Sequence, residues 1–509
     1  MNTKHLRPTV LLMACLLILG LAARPAAAKD TLVWAVGSKI PTMDIYGTTS
    51  LNLTNIYYMV SDALLDRDLD TLELKPNLVT EWERLDDTTW EFTLRKGVTF
   101  HNGNPLTAED IRYTIMDRIL NPELKSRQAP GFKFIKEVKV LDEHTFQIIT
   151  KGPYPLTDDR LNTFFPYDKE WCESVGEETI AEQPMGTGPY TFVQWDRGSR
   201  LVLTANPEYW NAGLPKIKDV VVRVIPEQST RIAELLNGGV DLISKLDPDK
   251  CAMVEKNTGT KVLETPSYRI TFWQFDSMGR AGETPFTDKR VRQAVCHAID
   301  RQKIIDVMFQ GHSKLLNTCL SPFDFGYNPD MTWYDYDPDK ARALLAEAGY
   351  PDGFEADILF YYPISKQFNE AAMGYLKKVG ITLNFKNYVG NVGQAIKVRD
   401  GGKCKDIGNF GWASYMLLDA DGLLPFWFGE GSKKNYSGDE KLAAWIEEAR
   451  YSFDQDKREK LYYQVQDRVK EQVYWMPVNV INSIYGANEN LTLTLPVNET
   501  LMLKIAEFK

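Results

Sequence analysis

The chain has 509 residues, of which 44% are hydrophobic, 12% aromatic and 25% charged, and its formal net charge is −10. This length predicts two or more domains, and the hydrophobic fraction is sufficient to build complete cores. The acidic balance argues against nucleic acid or an anionic membrane surface as the main partner.

The first 28 residues have the pattern of a secretory signal peptide. Lys4 and Arg7 precede an apolar run at 10–23, and three alanines at 26–28 end the segment. We expect cleavage after the last of these alanines and secretion into the periplasm. Because cleavage removes three basic residues and no acidic one, the mature chain has 56 basic and 69 acidic residues, a net charge of −13.

Two other interpretations of this segment are weaker. A membrane anchor would need ~20 apolar residues, and the run has fourteen. A lipid anchor at Cys15 is disfavoured because the apolar run continues after that residue. We therefore expect a soluble mature protein.

Five cysteines remain in the mature chain, at positions 172, 251, 296, 319 and 404. An odd number at wide spacings is not a disulfide framework, although one or two disulfides are compatible with an oxidising compartment.

Three hairpins and one βαβ unit are predicted in the first half. Residues 88–100 alternate apolar and polar side chains, and 134–150 and 188–206 each have two β-rich runs around a polar turn. From 217 to 243 a β-rich run, an amphipathic helix ending at glycines and a short apolar strand follow one another. This order predicts a parallel sheet.

The second half continues with alternating helices and strands. Residues 287–311 predict two helices that meet at Asp300, and Asp337 is an N-cap candidate for a helix that ends at Gly349. Strand, helix and strand follow over 354–388. The chain is therefore predicted to be a mixed α/β protein with a hairpin-rich insertion and two sheets that form a cleft between them.

No motif in the sequence predicts catalysis, a cofactor or a metal ion. No two histidines have metal-ligand spacing on a helix, and no GxSxG elbow occurs. Asp419 and Asp421 before Gly422 suggest a calcium loop, but an EF-hand frame would place Leu417 first and Phe428 twelfth, where acids are required. Paired carboxylates for glycoside hydrolysis remain open, because sequence does not show their separation.

Several motifs resemble the family 5 solute-binding proteins of ABC transporters, the dipeptide, oligopeptide and nickel receptors. The motif that carries most of the resemblance is DDTTWEFTLRKGVTFHNGNPLTAEDI, at 86–111. Further matching segments follow in the family's order at 186–195, 206–227, 237–243, 286–305, 334–354 and 376–383. The resemblance spans nearly the whole mature chain.

The resemblance implies a two-lobed periplasmic-binding-protein type II fold. Lobe one would comprise 29–265 and 477–509, with an extra hairpin-rich subdomain at about 55–180, and lobe two would comprise 266–476. The crossings in ETPSYRI and VYWMPVNVI would be hinge strands. The protein would be a monomer that binds a small molecule or short peptide and partners the permease subunits, with no cofactor, metal or nucleic acid.

The resemblance is less informative about the solute. In peptide-binding members a GW segment is closely followed by an aspartate that pairs with the peptide's ammonium group, and here Tyr415 stands at that place. A buried ammonium needs a countercharge, so Asp419 or Asp44 would have to supply it. In some members an arginine pairs with the carboxylate of a dipeptide, and this sequence has no evident counterpart of it. Lys366 is the nearest cation, but we favour the interpretation that it is a solvated lysine at the start of a helix.

Aromatic residues are expected to line the cleft, because they offer apolar area with a polar edge. By resemblance these aromatic residues are Trp273, Tyr361, Tyr362, Trp412 and Tyr415, and Ser414 is expected to bind the ligand beside them. Trp427 and Phe428 are expected in the core. The favoured function is a receptor for a peptide or peptide-sized solute. A secreted hydrolase, or a receptor for a nickel chelate or an opine, is the alternative.

Overall fold

The computed structural model describes residues 29–414 and 417–509. The predicted signal peptide at 1–28 and the predicted site residue Tyr415 lie outside the described residues. Within the described part of the chain, no helix is both long enough and apolar enough to cross a membrane.

The secondary structure is a mixture of strands and helices in alternation. The strands are β1 (Thr31–Val36), β2 (Leu65–Arg67), β3 (Leu74–Pro76), β4 (Val79–Arg84), β5 (Thr89–Leu94), β6 (Ile135–Val140), β7 (Thr145–Thr150), β8 (Tyr190–Asp196), β9 (Arg200–Ala205), β10 (Asp219–Val224), β11 (Leu242–Ser244), β12 (Thr260–Phe275), β13 (Ser313–Leu315), β14 (Phe354–Phe360), β15 (Ile381–Asn387), β16 (Ile407–Trp412), β17 (Trp475–Asn488), β18 (Leu491–Thr492) and β19 (Glu507–Phe508). The helices are α1 (Leu51–Val60), α2 (Ala108–Arg112), α3 (Lys169–Ile180), α4 (Gln228–Leu236), α5 (Cys251–Lys256), α6 (Lys289–Ala298), α7 (Arg301–Phe309), α8 (Pro338–Glu347), α9 (Pro363–Leu376), α10 (Val392–Asp400), α11 (Leu424–Phe428), α12 (Glu440–Arg450) and α13 (Gln455–Gln472).

The two sheets expected from the sequence are one continuous mixed sheet, because the long strands β12 and β17 connect them. Its order is β15-β14-β16-β12-β17-β11-β1-β10-β9-β8, with β13 on β17. We call β1 and β8–β11 its β1 part, and β14–β16 its β14 part. The two long strands β12 and β17 pair antiparallel along most of their length and join the two parts. Each part contains parallel pairs, as the βαβ patterns predict.

A separate four-stranded sheet, in the order β4-β5-β7-β6, contains two of the predicted hairpin regions. The predicted strand at 89–94 is confirmed as β5, but its hairpin partner is the preceding β4 and not residues 98–100. The hairpin of β6 and β7 is confirmed. The third hairpin, β8 with β9, is also confirmed and forms the edge of the main sheet.

Aspartate side chains begin many of the helices in the second half. The Asp337 carboxylate accepts a hydrogen bond from Lys340 N, which confirms it as an N-cap. The same arrangement begins α6 at Asp288 and α7 at Asp300. Such caps satisfy backbone N–H groups that have no partner within the helix, so the local sequence positions these helix starts.

The core of the β14 part lies on both faces of its sheet. Phe272 faces one side, where its ring stacks on Trp475 with centroids 3.5 Å apart and meets the edge of Trp427 at 4.9 Å. Trp427 and Phe428 are buried there, as predicted. The neighbouring strand residue, Trp273, belongs to the core on the opposite face.

The five cysteines that follow the predicted signal peptide are free and buried, so the described residues contain none of the disulfides that the sequence allows. Burial raises the pKa of the Cys172, Cys296 and Cys319 thiols to about 12 and that of Cys251 to about 11. Because the thiolate is the reactive form, we expect Ellman's reagent to label the native protein very slowly and all five thiols after unfolding. Rapid labelling of the native protein, or a melting temperature that depends on reductant, would contradict this.

Candidate functional site

The parallel strands of both parts of the main sheet end at the same place. β11 and β12 run in the same direction, because both pair antiparallel with β17. Ser244 of β11 lies level with Leu263 of β12, since both residues pair with Tyr485. β16 runs against β12 and ends at Trp412, opposite Ile270. The carboxyl ends of β11 and β16 therefore point toward the 267–269 segment from opposite sides.

Ligands in open α/β sheets bind beyond the carboxyl ends of the strands. Gly37 follows β1 and Lys245 follows β11 on one side of this segment. Tyr361 and Tyr362 follow β14 and Ala413 follows β16 on the other. We call the space between these two sets of residues the cleft.

The segment between the two sets of strands is fixed by hydrogen bonds. The pairing of β12 with β17 shifts register between Pro266 and Ile270. In the gap, Ser267 Oγ donates to Ile481 O at 2.7 Å and accepts from Arg269 N at 3.1 Å. Ser267 thus connects the irregular segment of β12 to β17 by a hydrogen bond, and it fixes the position of Arg269.

Arg269 forms a fork-shaped ion pair with Glu499 from the C-terminal segment. Its Nε donates to Oε1 at 3.0 Å and its Nη2 to Oε2 at 2.7 Å. Burial acts to raise the pKa of Glu499, but Arg269, and Lys245 beyond it, hold that pKa below its usual range. Glu499 is therefore ionised at neutral pH and accepts as a charged partner, which strengthens both bonds.

Lys245 completes the charged side of the cleft. Its side chain is exposed, yet surrounding protein and the charge of Arg269 lower its pKa. Within the described residues its Nζ has no carboxylate within 4.0 Å. A charged group that is partly accessible to water but surrounded by protein is typical of a cleft wall.

Aromatic rings form the opposite wall. Tyr361 and Tyr362 lie with ring centroids 4.5 Å apart, and a Cβ on Gly411 would stand 3.5 Å from the Tyr362 ring. Trp412 is half-buried and meets Trp427 edge to face at 5.4 Å. Of the predicted aromatic residues, Tyr362 and Trp412 are therefore partly exposed at this edge of the sheet. Tyr361 is buried and packs on Phe410 at 5.9 Å, so it lies in the core and not on the cleft surface as predicted.

Trp412 also contacts a cation. Lys434 Nζ lies 5.4 Å from the centroid of the Trp412 ring, within the range of a cation–π interaction. Burial and the nearby Arg399 lower the pKa of Lys434. This contact adds positive charge near the aromatic wall.

Trp273 does not line the cleft, contrary to the expectation from the sequence. Its side chain is inaccessible to solvent, and Nε1 donates to Asn369 Oδ1 at 3.1 Å inside the core. Because side chains alternate across a strand, Trp273 faces the helix-covered side of the sheet with Phe368, 5.9 Å away.

Asp419 is not available to a ligand either. Its carboxylate is 3% exposed and accepts from Arg458 Nη2 at 2.9 Å to each oxygen. It also caps a short helical turn by accepting from Asp421 N. Burial raises its pKa and Arg458 opposes that shift, so Asp419 is a structural residue.

The other two predicted charged partners are also engaged elsewhere. Asp44 accepts from Tyr167 Oη at 2.7 Å and from Tyr46 N at 3.0 Å. Lys366 is half exposed and pairs with Glu370 at 3.6 Å, one turn along α9. This position agrees with a solvated lysine at a helix start.

Ser414 is fully buried beside Asp324. Burial raises the pKa of the Asp324 carboxyl to about 7, with Ser414 as a hydrogen-bonding neighbour that opposes the shift. Ser414 therefore lies behind the wall of the cleft, and its polar neighbour is another buried residue.

A cavity of about 530 Å³ adjoins the cleft. Leu418 lines it and also packs with Tyr268 next to the crossing segment. Asp158 and Asp419 line it as well, and burial raises the pKa of Asp158 to about 6. Asp158 accepts from Trp82 Nε1 at 3.2 Å, so both acids already have protein partners.

Sequence reasoning missed Lys245, Arg269 and Glu499. Arg269 had a recognisable signal, since it is a charge at the start of an apolar strand in a predicted hinge. Lys245 follows the predicted strand of a βαβ unit, where ligand-binding residues concentrate. Nothing near Glu499 in the sequence indicates its partner 230 residues away.

The fold and the cleft together define a two-lobed binding protein, and comparisons with known proteins agree. The sequence pattern of the bacterial extracellular solute-binding proteins, family 5, matches residues 73–435. The chain belongs to this family.

Relatives of known name cover most of the chain. Heme-binding protein A of Haemophilus influenzae is 29% identical over 477 residues, which are 86% of this chain and 84% of the relative. The glutathione-binding protein GsiB of Salmonella typhimurium is 27% identical over 490 residues, 93% of each chain.

Solved structures share the fold. The periplasmic binding protein DppA of Helicobacter pylori, in complex with the peptide STSA, has a TM-score of 0.81 at 23% identity, covering 94% of this chain and 98% of its own. NikZ of Campylobacter jejuni, in complex with Ni(L-His), has a TM-score of 0.81 at 22% identity, with coverage of 94% and 97%.

Proposed function

We propose that the protein captures a peptide or peptide-sized organic solute between two lobes and delivers it to the permease of an ABC transporter in the inner membrane. Lobe one comprises 29–265 and 477–509, with its subdomain at about 55–180, and lobe two comprises 266–476. The observation that carries this proposal is the direction of the strands, because β11 and β16 end at one crossing segment from opposite sides.

The mechanism follows from the position of the cleft. A solute that contacts both walls makes its full set of contacts only when the lobes are closed, so its binding energy selects the closed form. Closure also removes the solute from water. The permease then distinguishes a loaded receptor from an empty one by its shape. A micromolar affinity, about −8 kcal/mol, suits both capture and release.

Contacts between the proposed lobes support closure. Tyr154 Oη donates to Asp421 Oδ2 at 2.9 Å, and Arg160 Nη2 lies 3.7 Å from the same oxygen. Arg67 Nη2 donates to Leu417 O at 3.0 Å. These contacts join the subdomain of lobe one to lobe two.

The names of the relatives and neighbours support the solute class. They bind heme, glutathione, a peptide and a nickel–histidine complex, which are compact organic molecules or chelates. Within the described residues, no group of three or more His, Cys, Asp or Glu side chains could hold a metal ion. A nickel solute would therefore have to arrive as a chelate.

We also propose where the protein acts and in which oligomeric state. The mature protein acts as a monomer in the periplasm after signal peptide cleavage, and it has no catalytic activity of its own. A hydrolase would need two acids facing each other across the cleft. Asp158 and Asp419 line a cavity between the proposed lobes and both have raised pKa values, but each is already held by a protein partner, Trp82 and Arg458 respectively. Glu499, on the cleft wall, has a lowered pKa and an arginine partner.

Small-angle X-ray scattering tests closure. We expect the radius of gyration to fall when the solute recovered from the native protein is added back to protein that has been unfolded and refolded without it. A solute that binds and raises the melting temperature without any change in the scattering curve would contradict two-lobe closure.

A further inference from the structure

The charged side of the cleft has more positive than negative charge. The charges that act on Lys245 are those of Arg269, Glu499 and Arg231. Arg231 has its own acidic neighbours, Asp247 first. Glu499 is paired with Arg269 through both of its oxygens. Among the residues that the structure describes, no carboxylate lies within 4.0 Å of Lys245 Nζ, so the ammonium group has no direct ion-pair partner there.

The backbone around Lys245 is fixed by hydrogen bonds, although among the described residues its side chain forms no hydrogen bond or ion pair. The preceding residue, Ser244, accepts a hydrogen bond from Trp34 Nε1 at 2.7 Å. The carbonyl of Lys245 accepts from Gln228 Nε2 at 2.7 Å. Leu246 after it is buried and donates its N–H to Ile484 O at 2.9 Å. A fixed backbone carrying an exposed and unpartnered ammonium group is suited to binding an anion.

Three residues around this group have a left-handed backbone conformation. Lys245 has φ 58°, Glu499 has φ 63° and Leu418 has φ 53°, in the left-handed region that side chains other than glycine rarely adopt. Such strain persists where the surrounding structure imposes it, and it clusters at ligand-binding sites.

Arg269 still has donors to offer. A guanidinium has five N–H donors, and the bonds to Glu499 use one on Nε and one on Nη2. The other N–H groups, including both on Nη1, are not used by the ion pair. The Arg269 side chain is 28% exposed, so a ligand can reach it.

We infer that the solute carries a carboxylate, which is bound by Lys245 Nζ together with the unused N–H groups of Arg269. This inference rests on the proposed function and specifies its solute class as an organic acid. A carboxylate there supplies the missing countercharge and accepts charge-assisted hydrogen bonds. Recognition then begins with the acid group and not with an ammonium, since Asp44 and Asp419 are already engaged.

The test compares Lys245→Gln with the control Lys256→Gln. Both lysines are exposed and lie in the same proposed lobe, but Lys256 ends α5. The probes are the peptide STSA with its C-terminal amide, glutathione with its diethyl ester, and the solute recovered from the native protein. Binding is measured by thermal shift and by calorimetry.

We expect at least one acid to bind the wild-type protein, and its neutral derivative to bind at least about tenfold more weakly, as the loss of a charged hydrogen bond predicts. Lys245→Gln should weaken binding of that acid by a similar factor, whereas Lys256→Gln should stay within about twofold. Within the described residues neither lysine side chain forms a hydrogen bond or an ion pair, so both variants should fold, which thermal unfolding without solute checks.

Two outcomes would overturn the inference and leave the receptor function intact. One is a neutral derivative that binds as tightly as its acid, and the other is a Lys245→Gln variant with wild-type affinity. If no probe and no recovered solute raises the melting temperature, the proposed function fails and the inference fails with it.

Discussion

Replacing Arg458 with methionine is expected to destabilise the protein by about 3 to 5 kcal/mol, the range for breaking a buried ion pair. Arg458 is 4% exposed, and its guanidinium donates to both oxygens of Asp419 and to the Ala449 carbonyl. The substitution leaves the Asp419 carboxylate buried without its countercharge. Urea unfolding followed by tryptophan fluorescence measures the loss.

The pH dependence of this variant has a definite sign. Burial already raises the pKa of Asp419, and Arg458 opposes that shift. Without Arg458 the folded-state pKa lies further above the unfolded value, so the folded state binds the proton more tightly. The variant should therefore regain stability as the pH falls from 7 through the raised folded-state pKa.

Two further variants serve as controls. The double variant Arg458→Met with Asp419→Asn should lose less stability than Arg458→Met alone, because no uncompensated charge remains. Arg200→Met breaks an exposed pair with Asp196 and should cost at most about 1 kcal/mol. A loss for Arg458→Met as small as that for Arg200→Met would show that the buried pair contributes little.

Replacing Trp412 with alanine is expected to weaken solute binding by about 30-fold or more. Truncating a large aromatic side chain at the centre of a binding surface typically costs about 2 kcal/mol or more. Trp412 ends β16 one residue after Gly411, which adjoins the Tyr362 ring, and Lys434 lies over the indole at 5.4 Å. Calorimetry with the solute recovered from the native protein measures the change.

Trp445→Ala is the matched control for this variant. Trp445 is also half-buried in the proposed lobe two, packs against the same core and has a lysine over its ring, Lys441 at 4.7 Å. It lies on α12, which contributes nothing to the carboxyl edge of the sheet. Trp445→Ala should bind within about threefold of wild type, and equal losses in the two variants would remove Trp412 from the binding surface.

Secondary structure and fold were largely predictable because their signals are local. Period-two alternation identified β5, residues 287–311 predicted the two helices α6 and α7, and the Asp337 cap identified α8. The pairing of β5 with β4 was missed, because alternation identifies a strand but not its partner. The resemblance to a family supplied the two-lobed fold, which periodicity alone does not specify.

The candidate site was harder to predict because its contacts join distant parts of the chain. Asp419 looked like a ligand for an ammonium group, but its partner Arg458 lies 39 residues further on. Trp273 was misplaced because both faces of its strand are buried, so alternation does not say which face borders the cleft. Arg269 and Glu499 meet only after the C-terminal segment returns across the molecule.

The most direct test of the account is native mass spectrometry of the protein purified from the periplasm without unfolding. We predict the mass of a monomer beginning at Lys29 plus one noncovalent, peptide-sized organic adduct, which is absent after unfolding and dialysis and returns when the recovered solute is added. The bare mature mass in every preparation, together with no probe that raises the melting temperature, would contradict a solute-binding receptor.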